Sequence, residues 1–132
     1  MSKRKKILFA CVANAARSQI AEGWAKKLAG DKIEVFSCGS KPIGRVGTYA
    51  IAVMKEVGID ISDHTSKGFS DLPKIEFDYV VTMGCGEACP SFISAKQRLD
   101  WQIEDPKGQD MEFYRKTRAQ IEAKVKELLR GV

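Results

Sequence analysis

The chain has 132 residues, of which 44% are hydrophobic and 30% charged, and its formal net charge is +5. This length supports one hydrophobic core, so residues 1–132 are predicted to form a single domain. No apolar run approaches the ~18 residues of a membrane span, and the basic residues alternate with Asp and Glu, so neither a membrane nor a nucleic-acid partner is predicted. The apolar run after the basic N-terminus is too short for a signal peptide, so we expect a cytoplasmic protein with reduced cysteines.

The first predicted element is a short apolar strand at 7–10, which runs into a loop at 11–17 and then into a helix. This order places the thiol of Cys11 in a cup of backbone N–H groups at a helix N-terminus, where anions bind and thiolate is favoured over thiol. Arg17 can close the cup with a planar fork that holds two oxygens of a tetrahedral oxyanion. The predicted oxyanion-binding residues are Val12, Ala13, Asn14, Ala15, Ala16, Arg17 and Ser18.

The rest of the chain continues the alternation of strands and helices. Apolar spacing, together with Gly30, Gly39 and Gly58 as end signals, defines the later elements. They are a helix at 20–28, a strand at 33–38, a helix at 50–57, a strand at 77–82, a short strand near 99–103 and an amphipathic helix at 113–128. This alternation predicts an α/β domain of three layers, a parallel sheet between layers of helices.

Three loops with reactive side chains each follow a predicted strand. Cys11 follows the first strand, Cys85 and Cys89 follow the third, and Asp105 follows the fourth. Because the carboxyl ends of parallel strands meet at one edge of the sheet, these loops are expected to share one rim. Asp105, stiffened by the proline after it, is the candidate acid that protonates a leaving oxygen.

A phosphatase built on one thiolate would not need Cys85 and Cys89. If the oxyanion is arsenate, Cys11 can bond to arsenic, and a second thiol can attack Cys11 to leave a disulfide and release arsenite. The disulfide could then pass from Cys11–Cys85 to Cys85–Cys89. A zinc site is the competing use of these thiols, but no second pair has ligand spacing, and no metal is predicted. Cys38 and His64 are interpreted as structural residues.

The chain resembles the arsenate reductases built on the low-molecular-weight tyrosine phosphatase fold. The resemblance covers nearly the full length and is carried by the stretches at 11–23, 37–39, 56–62 and 100–108. It implies a four-stranded parallel sheet in the order 2-1-3-4 with helices on both faces. It also implies that Cys11 is the nucleophile, Arg17 the clamp and Asp105 the acid, while Ser18 bonds to the thiolate and Asn14 braces the loop.

Three positions depart from the family pattern. Ala13 stands where the loop usually has glycine, so its backbone is expected to be unstrained. The short Cys85–Cys89 spacing resembles a subgroup that uses glutathione and glutaredoxin, whereas many relatives with wider spacing use thioredoxin. Thioredoxin-coupled members that bind potassium use an Asn, a Glu, a Ser and an Asp, of which Asn14, Glu22 and Ser37 match. Lys67 stands at the Asp position and its ammonium could replace the ion, so no potassium site is predicted.

The leading hypothesis is therefore arsenate reduction by a monomer that binds no cofactor and uses thioredoxin or glutaredoxin with glutathione as external reductant. The alternative is a phosphatase for phosphotyrosine or small phosphate esters that uses Cys11, Arg17 and Asp105. A third hypothesis is a binding module that senses oxyanions or redox state without turnover.

Overall fold

The computed structural model describes residues 4–84 and 93–132. Its strands and α-helices follow one another in the predicted alternation, and short 3₁₀ helices lie at Gly30–Lys32 and Phe69–Asp71. The main elements are β1 (Lys5–Cys11), α1 (Arg17–Ala29), β2 (Ile33–Gly39), α2 (Thr48–Lys55), β3 (Phe77–Thr82), β4 (Ala95–Asp100) and α3 (Met111–Arg130).

The four strands form one parallel sheet in the order β2-β1-β3-β4. Cys11 pairs with Gly39 of β2, and Ala10 pairs with Thr82 of β3, which in turn pairs with Asp100 of β4. The carboxyl ends of all four strands therefore lie along one edge. The predicted fold class, including the strand order, is confirmed.

The two faces of the sheet bury different clusters. One face packs against α1, α2 and α3, with Phe9 of β1 beside Trp101 at a ring separation of 5.8 Å. On the other face, Leu8 and Phe77 belong to a smaller cluster that Phe69 of the second 3₁₀ helix helps to cover. Each fully buried large apolar side chain contributes roughly 1.5–3 kcal/mol, so these faces hold the sheet between its layers.

The fourth strand lies at Ala95–Asp100, so its predicted position near 99–103 was wrong. It is an edge strand whose residues are mostly exposed or half-buried, and its polar sequence carries little apolar signal. The apolar pattern comes instead from Trp101 and Ile103, which are buried in the core just beyond the strand. The apolar residues at 101 and 103 thus belong to a buried loop and not to a strand.

Candidate active site

The loop that joins β1 to α1 turns its carbonyl groups away from its own centre. All six carbonyls of residues 11–16 accept a hydrogen bond from outside the loop. The donors, in order, are Ser40 N, Lys41 N, Ile43 N with Ser66 Oγ, Gln19 Nε2, Gly47 N and Ile20 N. In a trans peptide the N–H points opposite to the C=O, so the amides that follow these carbonyls face inward. The loop is therefore held by hydrogen bonds to its outward carbonyls, and most of the donors lie in the segment that follows β2.

The loop rests directly on the end of β2. A β-carbon at Gly39 would overlap the carbonyl oxygen of Val12 and lie 2.8 Å from Asn14 N. Asn14 has a φ of 52°, and it is the one non-glycine residue with positive φ in the described parts of the chain. Asparagine tolerates this left-handed conformation better than most residues. Ala13 therefore carries no such strain, as its side chain requires.

The thiol of Cys11 is buried at the base of the loop and lies 2.9 Å from Ser18 Oγ. Asn14 Nδ2 donates to the same hydroxyl oxygen at 2.7 Å. Because Ser18 already accepts this bond, its own proton is available to the sulfur. The arrangement suits a thiolate, which accepts hydrogen bonds and gains from N–H groups at a helix N-terminus.

Asn14 is held by bonds from two directions. Its Oδ1 accepts from Lys67 N at 2.7 Å and from Gln19 Nε2 at 3.1 Å. Gln19 in turn lies 3.0 Å from His64 Nδ1 through its Oε1. A chain of hydrogen bonds, part-buried at His64 and buried from Gln19 onward, therefore runs through Asn14 and Ser18 to the Cys11 sulfur. Such networks fix side-chain positions because each unpaired member would be costly.

Arg17 starts α1 and is only 4% exposed. Its Nη1 donates to the carbonyl of Ile103 at 3.1 Å, and its Nη2 lies 3.4 Å from Asp105 Oδ2. The loops after β1 and β4 therefore meet, as their positions at the carboxyl ends of the strands predicted. The structure brings the predicted clamp and the predicted acid together.

Asp105 is fixed by its own turn. Its Oδ1 accepts from Lys107 N at 3.0 Å, and the next residue, Pro106, is buried. The Asp105 carboxylate also acts on Tyr114 of α3. Burial raises the pKa of Tyr114, and the negative charge of Asp105 raises it further. With its side chain 47% exposed, Asp105 can exchange protons with solvent.

The four cysteines differ in what the structure describes. Cys85 and Cys89 lie outside the described residues, so their predicted approach to Cys11 stays a prediction. Cys38 is fully buried on the opposite face of the sheet from Cys11. Burial, with the nearby Cys11 adding to it, raises the pKa of Cys38 to about 12. This thiol stays protonated near neutral pH, which agrees with its predicted structural role.

Glu22 lies in a charged cluster behind the loop, and sequence reasoning missed its ion pair with Lys26. Glu22 is buried, and its carboxylate accepts from Lys26 Nζ at 2.6 Å and from Ser37 Oγ at 2.5 Å. Burial opposes ionisation of Glu22, but these bonds, together with nearby His64, outweigh it and lower the pKa. Burial lowers the pKa of His64, against the attraction of Glu22. The spacing of Lys26 four residues after Glu22 was the available signal.

The same contacts bear on the predicted absence of a potassium site. The ammonium of Lys67 donates to the carbonyl of Thr65 at 2.7 Å. The ammonium that donates to the Glu22 carboxylate is that of Lys26. The oxygens of Asn14 and Glu22 are thus already engaged by protein donors. The absence of a potassium site stays a prediction. Within residues 4–84 and 93–132, no group of three or more His, Cys, Asp or Glu could hold a metal ion.

The sequence profile of low molecular weight phosphotyrosine protein phosphatases matches residues 6–132. The chain belongs to this family. It is 43% identical over 127 residues to the glutaredoxin arsenate reductase of Synechocystis sp., covering 95% of this chain and 96% of that protein. It is 41% identical over 129 residues to arsenate reductase 1 of Bacillus cereus, covering 96% of this chain and 95% of that protein.

Solved structures show the same likeness. An arsenate reductase in the phosphate binding state superimposes with a TM-score of 0.88 at 42% identity, covering 97% of this chain and 98% of that one. Vibrio vulnificus Wzb in complex with benzylphosphonate superimposes with a TM-score of 0.82 at 26% identity, covering 98% and 100%. No helix in the described part of this family member is long and apolar enough to cross a membrane.

Proposed function

We propose that this protein is an enzyme that reduces arsenate to arsenite. The observation that carries the proposal is the buried Cys11 sulfur, hydrogen-bonded to Ser18 at the base of a loop whose amides face inward. Identities of about 41–43% to arsenate reductases over nearly the whole chain favour arsenate over a phosphate ester as the substrate.

The first step forms a bond between Cys11 and arsenic. The thiolate attacks arsenic, and the As–O bond to one hydroxyl breaks with its electron pair. Asp105 gives that oxygen a proton, so that it leaves as water, and Arg17 with the loop amides holds the remaining oxygens. Arsenic stays in its +5 state through this step.

The second step transfers two electrons. The thiolate of Cys85 attacks the Cys11 sulfur, the S–As bond breaks, and its electron pair stays on arsenic, which leaves as arsenite. Cys89 then attacks Cys85, which frees Cys11 and leaves a Cys85–Cys89 disulfide. One arsenate and two thiols thus give one arsenite, one disulfide and one water.

An external thiol reductant must supply two electrons to reduce that disulfide for turnover. The Synechocystis relative is named a glutaredoxin arsenate reductase at 43% identity, and a corynebacterial relative named thioredoxin-dependent is 32% identical. The higher identity favours glutaredoxin with glutathione. Because the resting enzyme needs reduced thiols, we infer that it works in the cytoplasm. That it is a monomer of one domain stays a prediction from the sequence.

The test measures arsenite production with glutaredoxin plus glutathione and, side by side, with thioredoxin. Cys11→Ser is expected to abolish turnover, and Cys85→Ser to stop after at most one arsenic adduct. Cys38→Ala is the matched control, because it removes a buried thiol on the other face of the sheet and should retain turnover. Normal multiple turnover by Cys85→Ser would refute the relay.

A second assay separates reduction from phosphatase chemistry. The Cys85→Ser/Cys89→Ser variant keeps Cys11, Arg17 and Asp105, so it should retain any weak activity on an aryl phosphate while losing arsenate reduction. If wild-type enzyme hydrolysed the aryl phosphate efficiently but produced no arsenite with either reductant, the phosphatase assignment would replace ours. Tight oxyanion binding without either turnover would instead indicate a sensing module.

A further inference from the structure

Gly84, two residues beyond the end of β3, lies directly against the guanidinium of Arg17. A β-carbon at this position would overlap Nη1 of Arg17 and lie 3.2 Å from its Cζ and 3.6 Å from its Nη2. The three heavy atoms of the described residues that lie nearest to that β-carbon, apart from its chain neighbours, thus all belong to this one guanidinium. Gly84 therefore forms one wall of the slot that holds Arg17.

The guanidinium is also held by two other contacts. Nη1 donates to the carbonyl of Ile103, and Nη2 lies beside the carboxylate of Asp105. At 4% exposure, Arg17 has little free space into which its tip can retreat. A side chain at residue 84 would therefore push the guanidinium out of its present position, since the end of a flexible side chain shifts more readily than backbone.

We propose that Gly84 is a positioning residue for oxyanion binding, whose missing side chain sets where the Arg17 fork sits. The inference rests on the proposed function for the role of Arg17 as clamp, and it deepens that function. Gly84 acts through Arg17 and is not itself catalytic. A planar guanidinium binds two oxygens of an anion only at a suitable distance and orientation, so a small displacement lowers the affinity for the anion.

The probe is inorganic phosphate, which needs no reductant and no turnover. Its dissociation constant is measured by titration calorimetry or by protection of Cys11 against iodoacetamide. Losing one charge-assisted bond to the anion corresponds to a roughly ten- to hundredfold weaker affinity, which is the effect expected for Gly84→Ala. The KM for arsenate should rise by a similar factor, and kcat should change less, because the displaced guanidinium weakens binding.

Gly58→Ala is the matched control. Gly84 has a φ of +78° and Gly58 a φ of +79°, but a β-carbon at Gly58 would meet nothing within 4 Å. Both alanine variants therefore carry the same backbone strain, and only one meets Arg17. Gly58→Ala should lower the melting temperature and leave the phosphate dissociation constant unchanged.

A double variant tests whether the effect passes through Arg17. In an Arg17→Ala background the slot is empty, so Gly84→Ala should lower the melting temperature only as much as Gly58→Ala does. Gly84→Asn, whose backbone tolerates positive φ, keeps the test usable if the alanine variant does not fold.

Wild-type phosphate affinity in a folded Gly84 variant would overturn the proposal. An undiminished melting-temperature penalty in the Arg17→Ala background would overturn it as well. These outcomes are distinct from failure of the proposed function, which would appear as phosphate binding by wild-type protein without arsenite production.

Discussion

Replacing Gly39 with alanine should disable the loop while leaving the fold largely intact. The new β-carbon would overlap the carbonyl oxygen of Val12 and lie 2.8 Å from Asn14 N and 3.0 Å from Ala13 C, whereas ordinary contacts begin at 3.4 Å. The φ of Gly39 lies outside the left-handed region, so alanine adds no backbone strain there. The whole penalty falls on backbone atoms of the loop, which must move by up to about 1 Å, at about 1–3 kcal/mol of stability.

A displacement of about 1 Å at a reacting centre can lower the rate by about 100-fold, so we expect kcat/KM for arsenate to fall by that order. The assay combines steady-state kinetics, phosphate titration and thermal unfolding. Gly47→Ala is the graded control, because its β-carbon would lie 3.3 Å from a single loop atom, Ala15 O. Near-normal kcat/KM in Gly39→Ala would refute the claim that the loop rests on β2 without clearance.

Four further predictions concern single groups. Ser18→Ala should lower kcat about ten- to hundredfold by removing the bond to the Cys11 sulfur; unchanged kcat at saturating arsenate would contradict this. Iodoacetamide at pH near 8 should alkylate Cys11 and spare Cys38, whose pKa is about 12; peptide mass mapping that finds both equally labelled would be the opposite result. Because the pKa of Glu22 is lowered from 4.5, its stabilising contribution is full above that value and is lost as pH falls through the lower folded pKa. Glu22→Gln should therefore flatten the acid limb of a melting-temperature profile, and a profile parallel to wild type would disprove it. Potassium, compared with sodium at equal ionic strength, should change neither turnover nor melting temperature, and marked activation would show that the ion displaces Lys26.

Much of the site could be predicted because it depends on local order along the chain. A strand, a short loop and a helix in that order predict a cup of amides around Cys11, and parallel strands bring Arg17 and Asp105 to one edge, where they lie 3.4 Å apart. These inferences use only rules of connection and backbone direction. The roles given to Cys85 and Cys89 used the same rule and stay predictions.

What could not be predicted depends on contacts between distant segments. The overlap between residue 84 and Arg17, or between residue 39 and the loop, follows from how closely two backbones approach, and no spacing in the sequence encodes that distance. The contact of His64 with Gln19 likewise joins a loop to a helix 45 residues away in the chain. The fourth strand was misplaced because an edge strand needs few apolar residues, while Trp101 beyond it needs burial.

The outward-facing carbonyls of the loop have a consequence for selectivity. Main-chain amides bind a tetrahedral anion by its shape and charge and do not distinguish which element lies at its centre. Inorganic phosphate should therefore occupy the same cradle and act as a competitive inhibitor of the proposed reductase. Discrimination between the two anions then falls to the sulfur chemistry, because a thiol-bound arsenic can accept an electron pair from its bond to sulfur and a thiol-bound phosphorus cannot.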